Sequence, residues 1–149
     1  MNNVIPLAPV AQAEVQKLDD ARMGEYIAEK YLRGKFLSAP GLGWLGWDGR
    51  KWEKVSDARV LKAVKDALLD FHMREGKAGA DVQRLTEVTR LLSVHRMKAI
   101  VTVAQGELEV DTDQLDAHPD LLNVGNGVVD LRTGELSPHD PDLLLTRVT

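Results

Sequence analysis

Residues 121–136 read Leu-Leu-Asn-Val-Gly-Asn-Gly-Val-Val-Asp-Leu-Arg-Thr-Gly-Glu-Leu. Two turn signals, Asn126-Gly127 and Thr133-Gly134, bracket Val128, Val129, Asp130 and Leu131, and glycine tolerates the positive φ that tight turns impose. Turn signals this close together, with β-branched residues between them, predict a compact β meander. Asp130 is expected to accept backbone N–H bonds in its turn and Arg132 to pair with Glu135.

Working upstream, residues 35–55 (KFLSAPGLGWLGWDGRKWEKV) carry a second strand signal around Asp48-Gly49. With those two residues as the loop of a hairpin, Trp47 faces Arg50 and Leu45 faces Trp52. Period-two geometry then puts Leu45, Trp47 and Trp52 on one face and Trp44 on the other. The three-residue face reads as core in preference to a base-stacking platform, so truncating Trp47 or Trp52 is expected to destabilise more than truncating Trp44.

The remaining sequence is helical in texture. Asp19 or Asp20 caps a helix carrying Met23, Ile27 and Tyr31, with Gly34 as its left-handed stop. Ser56 caps a second, with Val55 and Val60 as a hydrophobic staple, a stripe of Val60, Val64, Leu68 and Phe71, and Gly76 and Gly79 at its end. A third runs from Asp81 through Val82, Leu85, Val88 and Leu92; after Ser93 a fourth runs through Val94, Met97, Val101 and Ala104 to Gly106. The expected fold class is α+β: about four helices, a tryptophan-rich β-hairpin and a C-terminal β meander. Residues 1–18, with two prolines and no lasting period, read as a flexible arm able to dock through Val4, Ile5 and Leu7. Residues 19–149 read as a single domain.

Composition narrows the function. With 149 residues, 44% of them hydrophobic and 28% charged, the chain suits one ordinary core. No apolar run reaches the roughly 20 residues that span a bilayer, and the first residues lack a signal-peptide pattern, so a cytoplasmic location without membrane contact is expected. The absence of cysteine excludes disulfides and thiolate chemistry. Residues 1–106 hold 17 Lys+Arg against 13 Asp+Glu, whereas residues 107–149 hold 2 against 10. A phosphate-binding surface therefore belongs in the first part. Its candidates are Arg84, Arg90, Arg96 and Lys98, with His95, on the third and fourth helices, because a guanidinium fork matches phosphate oxygens. The plain alternative is a solvated helix face.

Tests for catalytic chemistry come out against it. Gly41-Leu-Gly-Trp-Leu-Gly46 satisfies the dinucleotide pattern, but Pro40 precedes it and the tryptophan hairpin follows, where a strand and a helix are required. No P-loop or serine nucleophile elbow is present, and the four histidines stand too far apart in sequence for paired metal ligation. Asp111 and Asp113 open like a calcium loop that Leu115 and Asp116 then break. No catalytic residue, metal site or cofactor is assigned, and binding is favoured over catalysis.

The run Leu121–Pro141 resembles the stretch just ahead of the ATPase core in phage and plasmid primase-helicases, a domain type also found in the poxvirus primase-helicase. The hairpin Gly43–Trp52 looks like the tryptophan-rich element near the start of that domain, and Asp116–Asn123 like its acidic lead-in. The resemblance covers about residues 22–149. Its motif positions here are Trp44, Trp47, Asp48, Gly49, Trp52, Asn123, Asn126, Gly127, Asp130, Leu131, Thr133 and Gly134, all read as structural.

The resemblance implies the amino-terminal neighbour of a superfamily 3 helicase, a ring-forming ATPase that unwinds DNA during replication in a phage-infected or bacterial cell. The P-loop, the acidic Walker B element and the arginine finger of that motor, with its ATP and Mg²⁺, lie beyond the position matching Thr149, and a primase module precedes the domain in some relatives. The chain is then a truncated or stand-alone copy without helicase or primase activity. Expected partners are single-stranded or forked DNA, bound weakly, and a helicase core or further copies of the chain. The competing readings are a docking or oligomerisation module without nucleic-acid affinity, and a small metal-dependent hydrolase using Asp111, Asp113, Asp116, Asp130 and Glu135.

Overall fold

A computed structural model describes residues 15–149; the docking residues Val4, Ile5 and Leu7 and most of the expected arm lie outside them. The described residues form four α-helices and two three-stranded antiparallel sheets, an α+β fold. They divide into two compact units, each assembled from two chain segments.

The first unit takes the described residues up to Tyr31 together with Ala58–Glu107. Helix α1 (Asp20–Ile27) starts where the Asp19 carboxylate accepts the Arg22 amide at 2.7 Å. A π-helical turn, Ala28–Leu32, follows, and Gly34 at φ +86° stops the chain. Met23 and Ile27 are fully buried, as their spacing predicts, but the wider π turn rotates Tyr31 off that stripe. Tyr31 is half-buried and donates its hydroxyl to Asp70 at 2.7 Å.

Helix α2 (Asp57–Lys77) buries the expected Val60, Val64, Leu68 and Phe71; Gly76 lies inside its last turn, and Gly79 at φ +92° follows the end. Helix α3 (Val82–Arg90) is capped by Asp81, and α4 (Val94–Glu107) begins after Ser93, whose hydroxyl accepts the Arg96 amide. In α4 the buried stripe is Met97, Ile100 and Ala104, so Ile100 rather than Val101 fills the core. Gly24 sets the approach of α1 to α4: a Cβ there would stand 2.5 Å from Val103 Cγ1.

The second unit takes Leu32–Asp57 and Leu108–Thr149. Its first sheet has the order β1 (Phe36–Ala39), β2 (Gly43–Trp47), β3 (Trp52–Lys54), so the expected hairpin gains a third strand. The register also differs from the two-residue loop. Trp47 pairs with Trp52 and Leu45 with Lys54, leaving Asp48–Lys51 as a four-residue loop. The reason is the Asp48 carboxylate, which accepts the amides of Arg50 and Lys51, both at 2.8 Å, while only Gly49 takes a positive φ, +102°. A type I′ turn needs positive φ at both central residues. Because the slip is two residues, the faces keep their parity.

One face of this sheet buries Leu37, Ala39, Leu45 and Trp52, with half-buried Trp47 packed against them. The other buries Trp44, which is 3% exposed, as is Trp52. Phe36 meets Trp44 edge-on with centroids 6.5 Å apart, and Val55 lies over Gly46. Trp44 is thus a core residue, and the half-buried Trp47 is the less covered one.

The second sheet is the expected meander, β4 (Leu121–Val124), β5 (Gly127–Asp130) and β6 (Leu136–Ser137). The first connection is Gly125-Asn126, so Gly127 opens the strand instead of closing the turn. A Cβ at Gly127 would meet the Ser137 carbonyl at 2.3 Å, and glycine is what lets β6 approach. At the second connection the Asp130 carbonyl accepts the amides of Thr133 and Gly134, with Gly134 at φ +77°. Among the described residues no helix is long and apolar enough to cross a membrane.

Candidate functional site

The basic helical residues come first, because charge singled them out. Arg84 donates Nε to Glu75 at 2.6 Å, Nη1 to the Gln16 carbonyl at 2.9 Å and Nη2 to the Val15 carbonyl. Glu75 has a side chain only 7% exposed, and a buried carboxylate without its partner is strongly destabilising. Arg96 makes a similar clamp: Nε reaches Asp20 at 3.0 Å and Nη2 the Leu18 carbonyl at 2.9 Å. Both guanidinium groups are therefore engaged in holding residues 15–20 on the helical unit, where the sequence reading offered them to phosphate, with a solvated face as the alternative.

Arg90 and Lys98 are exposed and make no ion pair among the described residues. Each sits in a stripe with an exposed valine, Val82–Thr86–Arg90 on α3 and Val94–Lys98–Thr102 on α4, at the i, i+4, i+8 spacing of one helix face. Val82 is 80% exposed and Val94 57%.

The charge asymmetry changes once chain segments are assigned to units. The described residues of the helical unit hold 12 Lys+Arg against 10 Asp+Glu, and the sheet unit 7 against 12. Arg33, Lys35, Arg50, Lys51 and Lys54 belong to the acidic unit, so the helical unit is close to neutral.

All the motif positions fall in the sheet unit. Asn123 is its hub: buried on the inner face of β4, it donates Nδ2 to the Arg50 carbonyl at 2.8 Å and to the Arg147 carbonyl at 2.9 Å, and its own carbonyl accepts the Thr149 amide. It ties the β2–β3 loop and the last residues to the meander. Trp52 adds a second tie, Nε1 to the Pro141 carbonyl at 2.9 Å. A third tie, absent from the sequence reading, is Asp116, which accepts both the amide and the hydroxyl of Thr146.

Asp130 accepts the Arg132 amide at 2.9 Å, as expected, and this bond leads in holding its carboxyl below the usual range. Arg132 pairs with Asp130 and Asp120, not with Glu135. Thr133 Oγ1 accepts the Glu135 amide. The glycine pattern of residues 41–46 lies in a turn running into β2, and no helix starts within it. Among the described residues no three His, Cys, Asp or Glu stand close enough to hold a metal.

The sequence reading missed the outer face of the meander. Leu122 pairs with Val129 and Val129 with Leu136, so the three side chains form one row across the strands. Leu131 continues the ladder through its amide to the Asp120 carbonyl and shares that face. Leu122 is 37% exposed, Leu136 52% and Leu131 57%. The signal was available in Leu121-Leu122 and Val128-Val129: consecutive apolar residues in a short strand make both its faces apolar.

A search of curated proteins finds no match to the chain. The profile of the family described as D5 N terminal like matches residues 24–149, which takes in both sheets, the π turn and helices α2 to α4 complete. The chain belongs to that D5 N terminal like family.

Proposed function

We propose that this chain is the non-catalytic accessory domain that stands ahead of the motor in a phage or viral primase-helicase, and that it contributes assembly contacts in place of a DNA grip of its own. The family supports the first half of that reading. One observation carries the second: Arg84 and Arg96, half of the basic cluster, are bonded to carboxylates and carbonyls of their own unit. Phosphate contacts draw their affinity from cations free to displace counterions, and Arg90 and Lys98 alone supply few. ATP and Mg²⁺ belong to the motor in this reading.

Titration of labelled single-stranded and forked DNA with the chain at low salt tests it. The expected result is no shift at tens of micromolar. The second reading, weak DNA positioning through exposed Arg90 and Lys98, requires binding whose salt slope is no steeper than about -1.5, given roughly -0.7 per phosphate on single strands. That binding would disappear in R90E/K98E.

A further inference from the structure

A cleft of about 540 Å³ opens in the sheet unit, and the charged groups that line it are unevenly committed. Leu45 and Trp52 close its floor and are almost fully buried, so the apolar surface a ligand can reach belongs to half-buried Leu42 and Leu115. Glu53 is taken by Lys51 at 3.1 Å, and Asp116 by the amide and hydroxyl of Thr146. Lys54 and Arg147, which also line the cleft, are exposed and make no ion pair among the described residues. They stay unpaired in a unit where 12 Asp+Glu outnumber 7 Lys+Arg. One wall is held by costly backbone: Asp116 and Leu144 adopt φ of +53° and +54°, and the Asp116 amide donates to the Leu144 carbonyl at 3.0 Å. Left-handed leucines persist only where the surrounding structure over-determines them, so that wall is preformed.

Resting on the assembly reading above, we infer that this cleft receives an acidic peptide segment of a partner chain. A bulky apolar side chain of that segment seats on Leu42 and Leu115, and flanking carboxylates meet Lys54 and Arg147. The volume lies in the range of ordinary ligand clefts and takes one large side chain with its neighbours. A basic segment would be repelled by the two cations, and a wholly apolar one would leave them without counter-charge. The tryptophan sheet contributes the floor and the edge residue Lys54, and its buried faces stay covered. Leu122, Leu131 and Leu136 of the meander do not line the cleft.

Fluorescence anisotropy tests this with a labelled probe peptide, Gly-Asp-Leu-Phe-Asp-Gly, titrated with the whole chain at low salt. Two control probes replace either the Leu-Phe pair by serines or both aspartates by lysines. Binding is expected for the first probe alone. K54E/R147E should weaken it about tenfold or more, because two exposed attractions become repulsions. K35E, a reversal at an exposed cation of the same unit outside the cleft, should leave it unchanged. Thermal unfolding checks that K54E/R147E folds; if it does not, K54Q/R147Q replaces it, with weakening again expected. A first probe left unbound by millimolar chain, equal binding of either control probe, or binding that the double variant leaves intact each overturns the site. So does displacement of the peptide by a single-stranded oligonucleotide, which would assign the two cations to phosphate. DNA titration of the same preparations reports on the assembly reading separately. An unbound peptide without a DNA shift removes the cleft alone, whereas a DNA shift lost in R90E/K98E removes the assembly reading and leaves the peptide result to decide the cleft.

Discussion

The tryptophan sheet β1–β3 and the meander β4–β6 sit in the same unit and are built alike, three short antiparallel strands with tight connections. They differ in what happens to their faces. The first sheet buries Trp44 on one side and Leu45 and Trp52 on the other, and other segments of the chain bond to both its edge strands. The meander buries Asn123 and Val128 on its inner side and leaves Leu122, Leu131 and Leu136 in solvent on its outer side. A sheet covered on both faces contributes stability; a contiguous apolar row left open on a small unit is a feature of interaction surfaces. Under the assembly reading proposed above, the first sheet is scaffold and the second is contact.

Truncation of the tryptophans is the strongest way to break that distinction. Trp52→Ala and Trp44→Ala are each expected to destabilise by about 3–5 kcal/mol, as large-to-small changes at buried aromatics do, and Trp47→Ala by less. Urea melts decide the order. A Trp44→Ala variant as stable as wild type would mean that one face of the first sheet is open after all.

Gly127→Ala should come next, at about 1–3 kcal/mol, because its Cβ runs into the β6 backbone and the meander must shift. Asn123→Ala is expected in a similar range, about 1–3 kcal/mol, through the two carbonyls it leaves unpaired. If either proved neutral, the meander would not need its third strand or its anchor to the rest of the unit.

Acid sharpens the comparison further, because each sheet has a turn aspartate. Backbone amides hold Asp48 and Asp130 below their ordinary value of 3.8, led by Lys51 and Arg132 respectively. A carboxylate with a depressed folded pKa stabilises above its unfolded value and loses that contribution as pH falls through the folded one. Wild type should therefore lose stability below the ordinary carboxylate range, and D48N and D130N should show a shallower acid limb in melts taken across that window. An unchanged limb would count against these turn bonds.

The smallest effect is expected on the outer face. Leu122→Ser and Leu131→Ser should leave the unfolding free energy within about 0.5 kcal/mol of wild type, as surface changes usually do. A loss as large as that of Trp52→Ala would make the row part of the core and end the contact assignment.

Much of this was legible in the sequence, and the misses have physical causes. The cap at Asp19, one of the two aspartates named for it, and the stripe of α2 depend on neighbours three or four residues away, and they were read correctly. The meander followed from its turn signals. The hairpin register failed because the Asp48 carboxylate bonds two amides and opens the loop, a side-chain effect that the Asp-Gly pattern does not encode. Tyr31 left its stripe because a π turn adds a residue that no periodicity announces. Arg84 and Arg96 looked like a free surface because Val15, Gln16, Leu18 and Asp20 stand some 70 residues away in sequence, and because Glu75, nine residues before Arg84, lies on a different helix, so charge counting along one helix sees neither pairing.

Side-chain exposure of the two sheets at low and high protein concentration tests the central claim most directly. Hydroxyl-radical footprinting of the wild-type chain reads it residue by residue. The account predicts that Leu122, Leu131 and Leu136 become protected as concentration rises, while Trp44 and Trp52 are protected throughout. Leucines equally reactive at every concentration, or concentration-dependent protection confined to residues of the tryptophan sheet, would contradict it.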